Sequence, residues 1–184
     1  MKPTSLALAV AALALAAPPA LARPPLPGYL VVKAGGFLPM GPDISSYDSD
    51  LAGEVALGYA PDPGFAFELA GGAFRTSHSV AGGEVRKLQV IPVTFAIRGK
   101  VPLQNFEPYA ILGTGAYFVR DEIGASSDDA TNFGFFLGVG GNLNLGSRLF
   151  VGLEGRYLYL RTNTFNTETR LDGLTLTADL GFRF

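Results

Sequence analysis

Cysteine is absent from the 184 residues, histidine occurs once, and charged side chains make up only 16% of the chain. Without cysteine there is no disulfide scaffold, no thiolate zinc centre and no thiol nucleophile, and one histidine cannot complete a Cys₂His₂ site. Fourteen Lys and Arg against 16 Asp and Glu leave a net charge of −2, which offers nucleic acid no basic stripe. Sustained helical periodicity with caps is missing as well. The longest uncharged stretch beyond the first 22 residues, Ala130 to Ser147, contains Gly134, Gly138, Gly140, Gly141 and Gly146. Each costs about 1 kcal/mol relative to Ala in a helix, so the stretch is no membrane helix.

What is present points elsewhere. Hydrophobic residues reach 48%, with 24 Gly, 14 Phe and 7 Tyr, and the mean hydropathy is +0.27. A charged share well below the ~25% of soluble domains argues against disorder and against an ordinary solvated surface. The N-terminus has the form of an export signal: Lys2, an apolar run from Leu6 to Ala17, the breakers Pro18 and Pro19, and Ala20-Leu21-Ala22 as a small-x-small site. Cleavage after Ala22 would leave 184 − 22 = 162 residues. Residues 1–22 are therefore expected to be a signal peptide and 23–184 a single domain, opening with an irregular Pro-rich leader at 23–28. No cysteine follows the apolar run, which excludes a lipid-anchored lipoprotein.

Period-2 alternation recurs through the rest and predicts strands over 29–39, 51–60, 65–75, 86–100, 106–119, 133–145, 149–161 and 171–184. Tight turns at Asp62-Pro63, Pro102 to Asn105 and Gly146-Ser147 alternate with longer polar loops near 40–50, 76–85, 120–132 and 162–170. Long and short connectors in alternation are the connectivity of an eight-stranded antiparallel up-and-down barrel, with both termini at the turn end. Along the last strand, Leu174, Leu176, Ala178, Leu180, Phe182 and Phe184 oppose Gly173, Thr175, Thr177, Asp179, Gly181 and Arg183. The polar parity of the barrel is also the small one, with Ala56, Gly58, Gly113, Gly115, Gly138 and Gly152. An eight-stranded bore only just holds side chains, so the small polar face belongs inside and the bulky face against lipid. Tyr29, Tyr59, Phe65, Phe106 and Phe182 near the turns, with Phe118, Phe133, Phe135, Tyr157 and Tyr159 near the loops, are expected to form two aromatic girdles.

With its signal peptide, Pro108-to-Phe118 (PYAILGTGAYF), Leu153-to-Leu160 (LEGRYLYL) and the terminal Leu-Gly-Phe-Arg-Phe, the chain resembles the small outer-membrane β-barrels of Gram-negative bacteria, the OmpA/OmpX type. The resemblance covers essentially the whole mature chain. It implies a transmembrane barrel in the cell outer membrane, monomeric, embedded in outer-membrane lipid and handled by the barrel-assembly machinery. It also implies that Leu176, Leu180, Phe182 and Phe184 form the C-terminal assembly signal. One departure is Pro92, mid-strand, which removes a ladder bond and predicts a bulge.

The inward parity collects Lys33, Glu54, Glu68, Arg98, Lys100, Glu154, Arg156, Asp179 and Arg183, five cations and four acids. Near-balance in a narrow bore favours a salt-bridged plug over a conduction path, because unpaired buried charges are costly. His78, within Thr76-Ser77-His78-Ser79, could serve a lipid-acting nucleophile only with a partnering acid, and none sits at an obvious position. Asp43, Asp48 and Asp50, and Asp121, Glu122, Asp128 and Asp129, lack the spacing of a calcium loop and read as a solvated rim. Gly113-Thr114-Gly115 and Gly138-Val139-Gly140 lie inside strands with no helix following, so they are not nucleotide loops. The expectation is a non-enzymatic surface barrel without cofactor, metal or nucleic acid. A narrow porin or lateral-diffusion channel is the second reading and a lipid-modifying barrel enzyme the third.

Overall fold

The computed structural model describes residues 27–41, 44, 48–79, 85–123, 126–164 and 167–184. The expected signal peptide, leader residues 23–26, Asp43 and residues 165–166 of the loop expected near 162–170 lie outside the described residues. Every regular element among those described is a strand: β1 (Gly28–Pro39), β2 (Asp50–Asp62), β3 (Phe65–Ser79), β4 (Val85–Lys100), β5 (Phe106–Ile123), β6 (Ser126–Asn144), β7 (Leu149–Thr164), β8 (Thr167–Arg170) and β9 (Gly173–Arg183). Neighbours in sequence pair antiparallel from β1 through β7, and β9 pairs with both β7 and β1. β8 continues the hairpin of β7 and shares the eighth barrel position with β9, broken at the buried Leu171 and Asp172. The result is a closed eight-stranded up-and-down barrel. Its seam is tied by Gly28 N donating to Phe184 O at 3.1 Å and Phe184 N donating to Gly28 O at 2.8 Å.

Three of the expected long loops are shorter than the polarity suggested. β3 runs to Ser79, β5 and β6 extend to Ile123 and from Ser126, and β7 and β8 extend to Thr164 and from Thr167. Polar residues past the apolar band keep pairing because the hairpin ladder satisfies their backbone groups regardless of side-chain polarity. Among the tight turns, only Gly146 takes a positive φ, +116°, where a side chain would be strained.

The outward face is one continuous uncharged band. From Phe106 to Phe118 on β5, or from Phe65 to Ala73 on β3, no ionisable residue points outward. Leu51 is 80% exposed, Phe133 81% and Leu153 70%, on every side of the barrel. A patch of that extent is untenable in water and suits acyl chains. Twelve steps along β5 at about 3.4 Å, tilted by about 40°, rise roughly 30 Å, enough to cross a hydrocarbon core.

Inside, the size sorting has a specific cause. Inward rings lie flat over glycines on the neighbouring strand: Tyr29 over Gly58, Phe136 over Gly113, Tyr109 over Gly140 and Phe150 over Gly181. A Cβ at any of these glycines would enter the ring. Gly181→Ala is therefore expected to lower stability by about 1–3 kcal/mol, the usual range for overpacking, whereas Gly71→Ala, where the space is open, should be near neutral. Urea unfolding of the two variants in detergent checks this; equal midpoints would remove the packing argument.

Three expectations are corrected. Tyr29 is not a girdle residue: it shares the parity of Val31 and Lys33 and is buried in the bore. Pro92 makes no bulge. The register to β3 is the same at Gly71↔Val93 and Phe74↔Val90, and that to β5 is unbroken through Pro92↔Tyr117. The strand instead leaves Gly72 and Ala73 unpaired with Ile91 and Pro92, because a missing N–H can be absorbed as a gap rather than an inserted residue. Nor is the interior polar throughout. Its loop-end half packs Phe37, Phe74, Leu88, Val90, Leu158 and Leu160, with Phe37 and Phe74 stacked at 4.4 Å.

Candidate functional site

Alternation along five strands aims six ionisable side chains at one level of the bore: Lys33 on β1, Glu54 on β2, Glu68 on β3, Arg98 on β4, and Glu154 and Arg156 on β7. Lys33 Nζ lies 3.0 Å from Glu54 Oε1, 2.8 Å from Glu68 Oε1 and 3.2 Å from Glu154 Oε1. Arg98 Nη2 bridges Glu68 Oε2 at 2.8 Å and Glu154 Oε2 at 2.9 Å. Arg156 donates to both oxygens of Glu54 at 2.9 Å and to Glu68 Oε1 at 3.2 Å. Its Nε is also ion-paired with Glu154 Oε1, without hydrogen-bond geometry. Three cations thus share three acids, with no bulk water to replace them. Burial would cost several kcal/mol per ion were the partners absent, so the arrangement stands only as a set.

Aromatic residues complete the layer. Tyr29 OH donates to Glu68 Oε2 at 3.1 Å and Tyr109 OH to Glu154 Oε2 at 2.9 Å. The Arg98 guanidinium stands 4.3 Å from the Tyr109 ring centroid, and that of Arg156 is 4.7 Å from Phe136. Both are within cation–π range. A cavity of about 60 Å³ remains between this layer and the apolar half, lined in part by Glu54, Phe74, Pro92, Thr94, Arg156 and Thr177. It has room for a few waters.

The other three lumen candidates lie apart. Asp179 is buried beside the network, its Oδ1 accepting from Thr177 Oγ1 at 2.8 Å and its Oδ2 without a hydrogen-bond partner among the described residues. Lys100 and Arg183 form a second cluster toward the turns, around Glu107. Lys100 Nζ is 3.6 Å and Arg183 Nη2 3.5 Å from that carboxylate, and Asn142 Nδ2 donates to it at 3.4 Å. Sequence reasoning missed Glu107 because it stands at the start of β5, yet it shares the parity of Gly113 and Gly115 and was findable on that ground. With it the charges of these two clusters and Asp179 balance: Lys33, Arg98, Lys100, Arg156 and Arg183 against Glu54, Glu68, Glu107, Glu154 and Asp179.

His78 is a strand residue rather than a loop one, paired in register with Arg86. Asp121 and Asp128 face each other across β5 and β6. Among the described residues no group of three or more His, Asp or Glu is placed to hold a metal ion. Of the assembly-signal candidates, Leu176, Leu180, Phe182 and Phe184 all face outward on the strand that closes the barrel.

An uncharged band around a closed barrel, with its charges paired inside, defines a transmembrane β-barrel. Residues 6–184 match the outer membrane protein beta-barrel domain, and the chain belongs to that family. Among solved structures it is similar to Neisserial surface protein A, at 17% identity and a TM-score of 0.66 over 85% of this chain and 97% of that one. It is also similar to the outer membrane protein OprG from Pseudomonas aeruginosa, at 15% identity and 0.66 over 87% and 97%. The attachment invasion locus protein Ail of Yersinia pestis shares the fold at 11% identity and 0.56 over 88% and 100%. Comparison with curated proteins returned no match.

Proposed function

We propose that this chain is a non-enzymatic, monomeric barrel of the cell outer membrane, with a structural and surface role and a lumen closed by its own side chains. The observation that carries the reading is the six-membered ion network drawn from five strands, backed by the apolar packing toward the loops. A conducting path would have to part several ion pairs at once in a low-dielectric bore. In planar bilayers the purified protein should give no steady large openings; steady openings would replace this reading with a porin.

The orientation belongs to the same proposal. The connectors at 63–64, 101–105 and 145–148 share one end with Pro27 and Phe184, and in an outer-membrane barrel short turns are periplasmic. Export through a signal cleaved after Ala22 precedes this placement, and the strand ending Leu180, Phe182 and Phe184 is the segment offered to the assembly machinery. Cysteine introduced at Asp128 should label with a membrane-impermeant maleimide on intact cells, and cysteine at Pro63 only after the membrane is opened. Equal labelling would reverse or abolish the topology.

A second reading has one observation in its favour. The ladder gap between Gly72-Ala73 and Ile91-Pro92 opens beside the internal cavity, which Ala73 and Pro92 help to line. A small hydrophobic solute could leave the lumen sideways there. Uptake of such a solute by cells expressing the protein, lost on Pro92→Val, would favour this lateral path.

A further inference from the structure

Among the described residues, four buried side-chain nitrogen and oxygen atoms have no hydrogen-bond partner. Two are donors, the Nε atoms of Arg98 and Arg156, whose guanidiniums lie inside the ion network. The other two are acceptors, Asn142 Oδ1 and Asp179 Oδ2, on residues only 2% and 4% exposed. Both stand in one row of the barrel. Glu107 on β5, Asn142 on β6, Gly152 on β7, Asp179 on β9 and Lys33 on β1 are successive register partners. The two acceptors therefore flank Gly152.

Gly152 is unlike the inward glycines that lie under aromatic rings. The atoms nearest to where its Cβ would be are Asn142 Oδ1 at 2.5 Å, Gly141 O at 3.0 Å and Asp179 Cβ at 3.5 Å. Glu107 sets the direction of the Asn142 amide. It accepts from Nδ2 at 3.4 Å, which leaves Oδ1 toward Gly152. The reverse rotamer would set Oδ1 against the Glu107 carboxylate, two acceptors face to face.

Asp179 also lacks a cation of its own. Its donor is Thr177 Oγ1, on Oδ1, and it is ion-paired with no described residue. Lys33, its register partner, directs Nζ to Glu54, Glu68 and Glu154. Arg98 and Arg156 are likewise divided among those acids. Arg183, in the turn-end cluster, stands four residues along β9, about 13 Å in an extended strand.

We propose that Asn142 Oδ1 and Asp179 Oδ2 hold a small monovalent cation of the sodium class over Gly152, with water completing its coordination. A water alone could donate to both oxygens, but it would leave the charge of a buried carboxylate uncompensated, which is the costly part. Calcium and magnesium take about six or more oxygens, with several carboxylates to match their charge, and this row supplies one acid and one amide. Binding both oxygens, the ion ties β6 to β9 across β7. The site does not depend on the closed-lumen reading: steady openings in bilayers would overturn that reading and leave the sodium response below unchanged.

The test is urea unfolding of the full barrel in detergent, in sodium chloride and in choline chloride at equal ionic strength. Sodium should raise the midpoint, lowering the unfolding constant about 11-fold at ten times its dissociation constant. Asp179→Asn removes the charge and brings an N–H within reach of Asn142 Oδ1, so its midpoint should be the same in both salts. Glu122→Gln, which alters an acid at the loop end, should keep the full sodium response. Sodium NMR relaxation gives a direct reading, faster with the unmodified barrel than with Asp179→Asn. Heat-modifiable gel mobility of each variant separates a lost site from a lost barrel. Equal midpoints of the unmodified protein in the two salts would overturn the assignment, as would a sodium response that survives in Asp179→Asn. A midpoint that follows pH but not sodium would give the place between the two oxygens to a proton, and the cation would fall.

Discussion

Glu154→Gln should cost about 3–5 kcal/mol of unfolding free energy, the range for removing one partner from a buried ion set. Glu154, like Glu68, is shared by Lys33, Arg98 and Arg156, and Tyr109 also donates to it, so its neutral replacement leaves three cations facing two carboxylates. Asp179→Asn is the contrast. Its Oδ2 has no hydrogen-bond partner to lose among the described residues, and the change should be far smaller. Urea unfolding in detergent measures both. Replacing Glu154 and Arg98 together by Leu and Met should recover part of the loss, since an apolar pair of similar volume avoids desolvation. A Glu154→Gln midpoint equal to that of the unmodified protein would mean that the bore is wet enough to screen its charges, and the closed lumen would fall with it.

Leu153→Arg should impair refolding into liposomes by about 2–4 kcal/mol, the cost of arginine on the lipid face near mid-bilayer. Leu153 stands in register between Gly141 on β6 and Ala178 on β9, with an apolar surround on both sides. Arginine at Thr175, on the inward parity and lining the internal cavity, should insert better because its charge faces the polar bore. Gly152 is unsuitable as the lumen control. Asn142 Oδ1 lies 2.5 Å and Gly141 O 3.0 Å from where its Cβ would be, so crowding there would add to any effect of charge. Equal insertion of the two arginine variants would show that the outward face is not in hydrocarbon.

Much of the fold was legible because alternation is local. One strand's own residues fix which parity is bulky and which is small, and eight such segments with alternating connectors leave few architectures. The predicted strands fell short at the loop end, where backbone pairing continues past the residues whose polarity marked a loop. Tyr29 and Glu107 were misread for a related reason. At a strand end, proximity to a turn was weighed above parity, although Val31 and Lys33 beside the one and Gly113 and Gly115 beyond the other carried the answer.

Alone, the sequence determined that the chain alternates, that the charge within the apolar band lies on one parity, and that the other face is fit for lipid. These follow from the two-residue period of a strand, which needs no knowledge of neighbours. Which charges meet was decided only by tertiary structure. Lys33, Glu54, Glu68, Arg98, Glu154 and Arg156 share a level because strand tilt and register bring distant positions to the same height, while Lys100 and Arg183, of the same parity, fall to a different cluster. The apolar packing in the loop-end half is likewise a product of closure. Leu88, Val90 and Leu158 become a core only once eight strands surround them, because inside a closed barrel burial is set by the ring and not by the residue.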